Sequence, residues 1–150
     1  MKILVAADGT KQGDSAVEML GNLRLGERDE VKVVSVVDMA VPLAIDIYGG
    51  YLPDTTELEN VSRDNATRVL EAAIKRSKEV ATDVTTSGEV LFGSPESRIV
   101  ETAEQFKADL IILGSHGYNR WERLLLGSVS DSVLHHAPCS VLIVRSRDEK

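Results

Sequence analysis

Leu110-Ile111-Ile112-Leu113-Gly114-Ser115-His116-Gly117 is the stretch on which the fold turns. Four large aliphatic residues follow one another with no polar position between them. A half-exposed strand would alternate. A run this short and bounded by glycine reads as a strand buried on both faces, as in a parallel sheet covered by helices. Gly114 and Gly117 can then turn the chain sharply and let main-chain N–H groups approach a bound group closely. Nine residues further on, Gly127-Ser128 opens another helical pattern. In an open α/β sheet, ligands sit outside the carboxyl ends of the strands.

Working outward, Ile3 to Ala7, Val31 to Val37 and Ser140 to Val144 are also nearly continuous in apolar residues, while Val84 to Phe92 is mostly polar. Five strands are expected, with the polar one at an edge. Helical patterns lie between them. Ala16, Val17, Met19, Leu20 and Leu23 form a stripe after Thr10, whose side chain suits an N-cap. Ala66, Val69, Leu70, Ala73, Ser77 and Val80 keep helical spacing within 57–81. Ser94-Pro95-Glu96 combines an N-cap residue, a proline at the first helical position and an acid in the first turn. Ile99, Val100, Ala103 and Phe106 then mark its buried face. The last helix is expected from about Ser128 to before Pro138, with Ser128 and Asp131 spaced as a capping box. Strands alternating with helices give an α/β fold, an open, mostly parallel sheet sandwiched by helices.

The chain has 150 residues, 43% of them hydrophobic, and a formal net charge of −7. That length predicts one domain, 1–150. The acidic balance gives no footprint for a nucleic-acid backbone, and no nucleic-acid partner is expected. No apolar run approaches the roughly 20 residues that span a bilayer, so no membrane partner is expected either. Met1 to Ala7 runs straight into Asp8 without a leader pattern, and a single cysteine, Cys139, cannot pair within the chain. A cytoplasmic location is expected. The segment 38–56, with Pro42, Tyr48, Gly49, Gly50, Tyr51 and Pro53, lacks clear periodicity. It reads either as a surface excursion or as a lid or partner contact.

The chemistry converges on an anion. The N-terminus of the last helix offers unpaired N–H donors and a partial positive charge, and the Ser128 and Ser130 hydroxyls could add donors. A tight strand-to-helix connection would use the same glycines. Asp8 either closes the turn into the first helix, or bonds a ligand hydroxyl or a phosphate-bound metal through a carboxylate oxygen. His116 reads as a loop donor or a brace. No second His or Cys stands at zinc-ligand spacing. Arg120 and Arg123 offset phosphate charge or form a solvated face. Trp121 is expected to pack partly under this loop. His135 and His136 favour a helix C-terminus, and Cys139 reads as a small packed hydrophobe.

Gly114-x2-Gly117-x9-Gly127-Ser128 resembles the nucleotide-binding signature of the universal stress protein (UspA-like) family, ATP-binding subgroup. The resemblance covers nearly the whole chain. Ile3-Leu4-Val5-Ala6-Ala7-Asp8-Gly9-Thr10 is similar to the family's first strand and Asp-Gly-Ser/Thr turn, and Val33-Val34-Ser35-Val36-Val37-Asp38 to its second strand. Phe92-Gly93-Ser94-Pro95 resembles its Gly-x-Pro turn, and Pro138-Cys139-Ser140-Val141-Leu142-Ile143-Val144 its final strand. Ser140 stands where many members have a second proline, and Gly13 where a serine is common.

The resemblance implies a five-stranded parallel sheet of order 3-2-1-4-5, of the adenine nucleotide alpha-hydrolase-like type. It implies ATP as ligand, with Mg2+ or Mn2+ possible at Asp8. Asp8 and the main chain of Val36 fall at the adenosine end. Gly114, His116, Gly117, Gly127, Ser128, Val129 and Ser130 fall along the ribose and phosphates. A homodimer through the last strand, 140–144, is implied as well, with the protein partner unknown. The implied function is a nucleotide-dependent regulatory or stress-response module. A slow ATPase or phosphotransferase and a nucleotide-independent dimeric scaffold stand as alternatives. No spacing identifies a catalytic base, so binding is favoured over efficient catalysis. A phospho-receiver is disfavoured because Asp8 has no neighbouring acid, and a P-loop enzyme because no Walker A loop is present.

Overall fold

The computed structural model describes residues 1–39, 55–115 and 126–146. Among them, β1 (Lys2–Ala6), β2 (Glu30–Asp38), β3 (Thr85–Gly93), β4 (Leu110–Gly114) and β5 (Ser140–Val144) alternate with α1 (Lys11–Glu18), α2 (Thr55–Val80), α3 (Pro95–Phe106) and α4 (Ser128–His136). The strands pair in parallel in the order β3-β2-β1-β4-β5. This is the expected architecture and order.

Helices cover both faces, which is why the central strands carry no polar alternation. Successive residues of β1 serve opposite layers. Ile3 and Val5 pack with Val17, Leu20, Leu70 and Ala73 of the α1 and α2 layer. Leu4 packs with Ile99, Ala103 and Val133 of the α3 and α4 layer. In β4, Ile112 faces the first layer and Ile111 and Leu113 the second. β3 lies at the edge and is mostly exposed, as its polar sequence predicts. Among the described residues no helix is long and apolar enough to cross a membrane.

The helix starts follow local chemistry, with two departures. Thr10 caps α1, its hydroxyl accepting from Gly13 N–H at 3.2 Å. The stripe after it continues as expected, but its last turn, Met19–Asn22, tightens into a 3-10 helix that buries Leu20. At α3, Ser94 takes the N-cap position without accepting a helix N–H. Its side chain bonds Glu96 instead. That bond, with the Glu96 N–H, holds the Glu96 carboxyl below its ordinary range.

The amino-terminal rim of the sheet is closed by short-range bonds. Asp29 pairs with the Met1 amino group and accepts from Gly26 N–H at 2.8 Å. Asp109 and Lys2 exchange two bonds: Lys2 N–H donates to Asp109 Oδ2 at 2.6 Å, and Asp109 N–H to the Lys2 carbonyl at 2.7 Å. Glu30 N–H donates to the Met1 carbonyl at 3.0 Å.

Candidate functional site

The opposite rim is open. A cavity of about 490 Å³ lies beyond the carboxyl ends of β1, β2 and β4, within the size range of small-molecule sites. Its place follows from topology. From β1 the chain moves outward through β2 to β3, then returns to the other side of β1 for β4 and β5. The helices after β1 and β4 leave on opposite faces, and the strand ends part between them.

One end of the cavity is built by β4 and α4. Gly114 is the last residue of β4, and Gly127 is the N-cap of α4. Ser115 N–H donates to the Val144 carbonyl at 2.9 Å, and Gly127 N–H to the Ser115 carbonyl at 2.9 Å. The two glycine segments, separated in sequence, are thus stapled together. Ser128, Val129 and Ser130 form the first turn of α4 and line the cavity. Their N–H groups have no intrahelical acceptor and carry the positive end of the helix dipole.

Three expectations change here. Ser128 and Asp131 do not form a capping box, because α4 starts one residue earlier than that pattern requires. Gly127 is the N-cap, Ser128 is already helical, and no side chain caps the end. Ser130 Oγ is not an open donor. It gives its proton to the Gly114 carbonyl at 2.7 Å and is buried, binding the strand end to the helix. Gly114 is not a turn residue. A Cβ there would stand 2.8 Å from the main-chain carbon and oxygen of Gln12, so glycine lets α1 close onto the end of β4.

The other end is built by β2, α2 and α3. Ala7 N–H donates to the Val34 carbonyl at 2.9 Å, and the β1–β2 pairing stops at Ala6 opposite Val34. In a parallel strand, alternate residues point both main-chain groups to the same neighbour. Val36 therefore offers its N–H and C=O to the side where β1 has ended, an edge-reading position for a planar base. Ala66, Val69, Pro95 and Ile99 supply apolar walls, and Ser62 and Asn65 a polar one. Sequence reasoning missed this α2 wall. The signal was present: the apolar stripe that starts at Ala66 continues backward on the same face as Ser62 and Asn65.

Asp8 stands between the two ends. Its Oδ1 accepts from Thr10 N–H at 2.9 Å and from Thr10 Oγ1 at 2.6 Å, and Gly9 at φ +76° makes that bend. The turn-closing role is therefore present. The carboxylate also lines the cavity. Burial and the nearby Asp8 and Glu18 charges raise the Asp14 carboxyl above its ordinary value. The charged side chains among the described lining residues, Asp8 and Asp38, are both acidic. A polyanion here relies on main-chain donors and on a countercharge.

All the expected site residues in the described part meet at this cavity: Asp8, Val36, Gly114, Gly127, Ser128, Val129 and Ser130. His116, Gly117, Arg120, Trp121 and Arg123 lie outside the described residues, as does 40–54, the greater part of the aperiodic 38–56 segment. Among the described residues no group of three or more His, Cys, Asp or Glu could hold a metal ion alone. His135 and His136 occupy the last turn of α4, each Nδ1 2.8 Å from the carbonyl four residues back. Cys139 packs at the margin of the second core, and burial, then Asp109, pushes its thiol up. It is a packed residue and not an activated one.

A sequence model of the universal stress protein family matches residues 1–145. A putative universal stress protein of Staphylococcus aureus (strain USA300) is 32% identical over 152 residues, covering 97% of this chain and 84% of its own length. Among solved structures, the hypothetical protein MJ0577 superposes with a TM-score of 0.81 at 26% identity, covering 99% of this chain and 97% of its own. A universal stress protein solved in complex with cAMP superposes with a TM-score of 0.68 at 25% identity, covering 98% of each chain.

Proposed function

The chain belongs to the universal stress protein family, and we propose that its carboxyl-rim cavity binds an adenine nucleotide, with ATP as the ligand that sets its regulatory state. The observation that carries this reading is the pairing of two unlike ends in one cavity: open helix N–H donors at α4, and an unpaired main-chain edge with apolar walls at Val36. A nucleotide has the same polarity, an anionic tail joined through a polar sugar to a flat base. The relative in complex with cAMP supports the ligand class.

On this reading the adenine meets the Val36 main chain, and the phosphates meet Gly127, Ser128, Val129 and Ser130. Asp8 bonds a ribose hydroxyl or a phosphate-bound cation. Mg2+ or Mn2+ fits the second role, since such ions are commonly held by one or two carboxylates together with phosphate oxygens. It would supply countercharge that Asp8 and Asp38 do not. His116, Gly117 and Arg120 belong to the same site through their place in the glycine signature. The output is a change of partner surface in a single-domain cytoplasmic protein. A homodimer through β5 is part of the proposal. β5 is an outer strand of the sheet, and its Val141, Leu142 and Ile143 are only half-buried.

Isothermal titration of nucleotide-free protein with ATP, ADP, AMP and cAMP tests the reading, each with and without Mg2+. Saturable binding is expected, with ATP gaining most from the cation. No binding of any of the four up to millimolar concentration would end it.

A further inference from the structure

Gly13 lies one turn into α1, buried, and lines the cavity. Its main chain is tied to the Asp8 turn, because Gly13 N–H donates to Thr10 Oγ1 at 3.2 Å while Thr10 Oγ1 donates to Asp8 Oδ1 at 2.6 Å. The space over its Cα is already occupied. A Cβ there would stand 2.4 Å from Asp8 Oδ1, 3.2 Å from Asp8 N and 3.4 Å from Asp8 Cγ. No real Cβ sits that close to an oxygen. The neighbour that must give is the carboxylate itself, since the main chain just before it is held by the Ala7 N–H bond to the Val34 carbonyl.

We infer that Gly13 is the positioning residue for Asp8: the missing side chain is the seat in which the Asp8 carboxylate lies. The inference rests on the nucleotide reading for its consequence, although the seat exists without ligand. With Gly13 in place, Asp8 Oδ1 keeps both bonds from Thr10 and the carboxylate faces the cavity in one orientation. In this chain a Cβ at 13 would displace Oδ1 from the place where it accepts from the Thr10 N–H. The carboxylate then has to be ordered again when a ligand binds. The aspartate is the group that would touch ligand, and Gly13 acts through it.

Gly13→Ala, Asp8→Ala and the double variant separate the possibilities. Alanine favours a helix more than glycine does, and Asp8→Ala removes the atom that alanine would strike, so the double variant is a folded control. The first readout needs no ligand. In 15N NMR spectra, Gly13→Ala is expected to move the Thr10 amide resonance as Asp8→Ala does, through loss of the bond to Oδ1. An unmoved Thr10 resonance overturns the inference. The second readout is ATP affinity. Gly13→Ala should weaken it about tenfold, the weight of one lost hydrogen bond to a charged group. The same change in the Asp8→Ala background should then cost nothing. Equal losses in both backgrounds would show that Gly13 acts by blocking ligand, which also overturns the inference. If the unaltered protein binds no nucleotide, the proposed function fails, and the Thr10 resonance alone decides the role of Gly13.

Discussion

The two rims of the sheet are made from the same strands and end differently. At the amino rim, chain ends meet partners at once: Asp29 with the Met1 amino group and Gly26, Asp109 with Lys2, Glu30 with Met1. At the carboxyl rim, β2 runs four residues past the end of its pairing with β1, from Ser35 to Asp38. α4 begins there without a side-chain cap. At the carboxyl rim the first-turn N–H groups of α4 and the β1-facing main chain of Val36 are left for something else. Uncapped helix ends and unpaired strand groups cost stability unless filled. Their concentration at one rim is what supports placing the proposed nucleotide site there, while the closed rim keeps its polar groups paired.

The contrast can be broken from either side. The largest effect is expected from Gly114→Val. The added side chain would enter the main chain of Gln12, and overpacking of this kind costs about 1–3 kcal/mol. Denaturant unfolding should show that loss, and ATP binding should fall with it because α1 and the end of β4 both border the cavity. Next comes Asp8→Ala. ATP affinity should fall about tenfold by titration, with a smaller loss of stability from the freed Thr10 turn.

Asp29→Asn tests the opposite rim. The Met1 amino group, then the Gly26 N–H, holds the Asp29 carboxyl below its ordinary value. A carboxyl depressed in the folded state stabilises above its unfolded pKa of about 4 and loses that contribution as pH falls through the folded value. The variant should melt lower than the parent near neutrality, the gap closing in acid, with ATP affinity unchanged. The smallest effect is expected from Ser94→Ala. Removing the bond to Glu96 should return that carboxyl toward its ordinary value, visible by NMR titration. The stability cost should stay within about 0.5 kcal/mol, and it too should vanish in acid.

Strand positions were legible because burial on two faces leaves a blunt signature, and Leu110 to Leu113 could hardly be read otherwise. β3 was legible as an edge for the converse reason, since Thr85, Ser87 and Glu89 tolerate exposure. The site was legible as a set of positions and less so as a set of roles. Ser130 reads as a donor until its proton is seen to belong to Gly114, across sixteen residues of sequence. Gly114 reads as a hinge, but what demands glycine there is the backbone of Gln12, a neighbour that only the fold supplies. Gly13 carries no local signal at all, because its importance lies in an atom of Asp8. Such contacts between distant segments are invisible to patterns that describe one element at a time.

A crystal structure grown in excess Mg-ATP tests the central claim most directly. The account predicts phosphate oxygens within hydrogen-bond distance of the Ser128 and Val129 N–H groups and the base against the Val36 main chain. A nucleotide bound elsewhere, or a carboxyl rim filled by the protein's own side chains at saturating ligand, would contradict it.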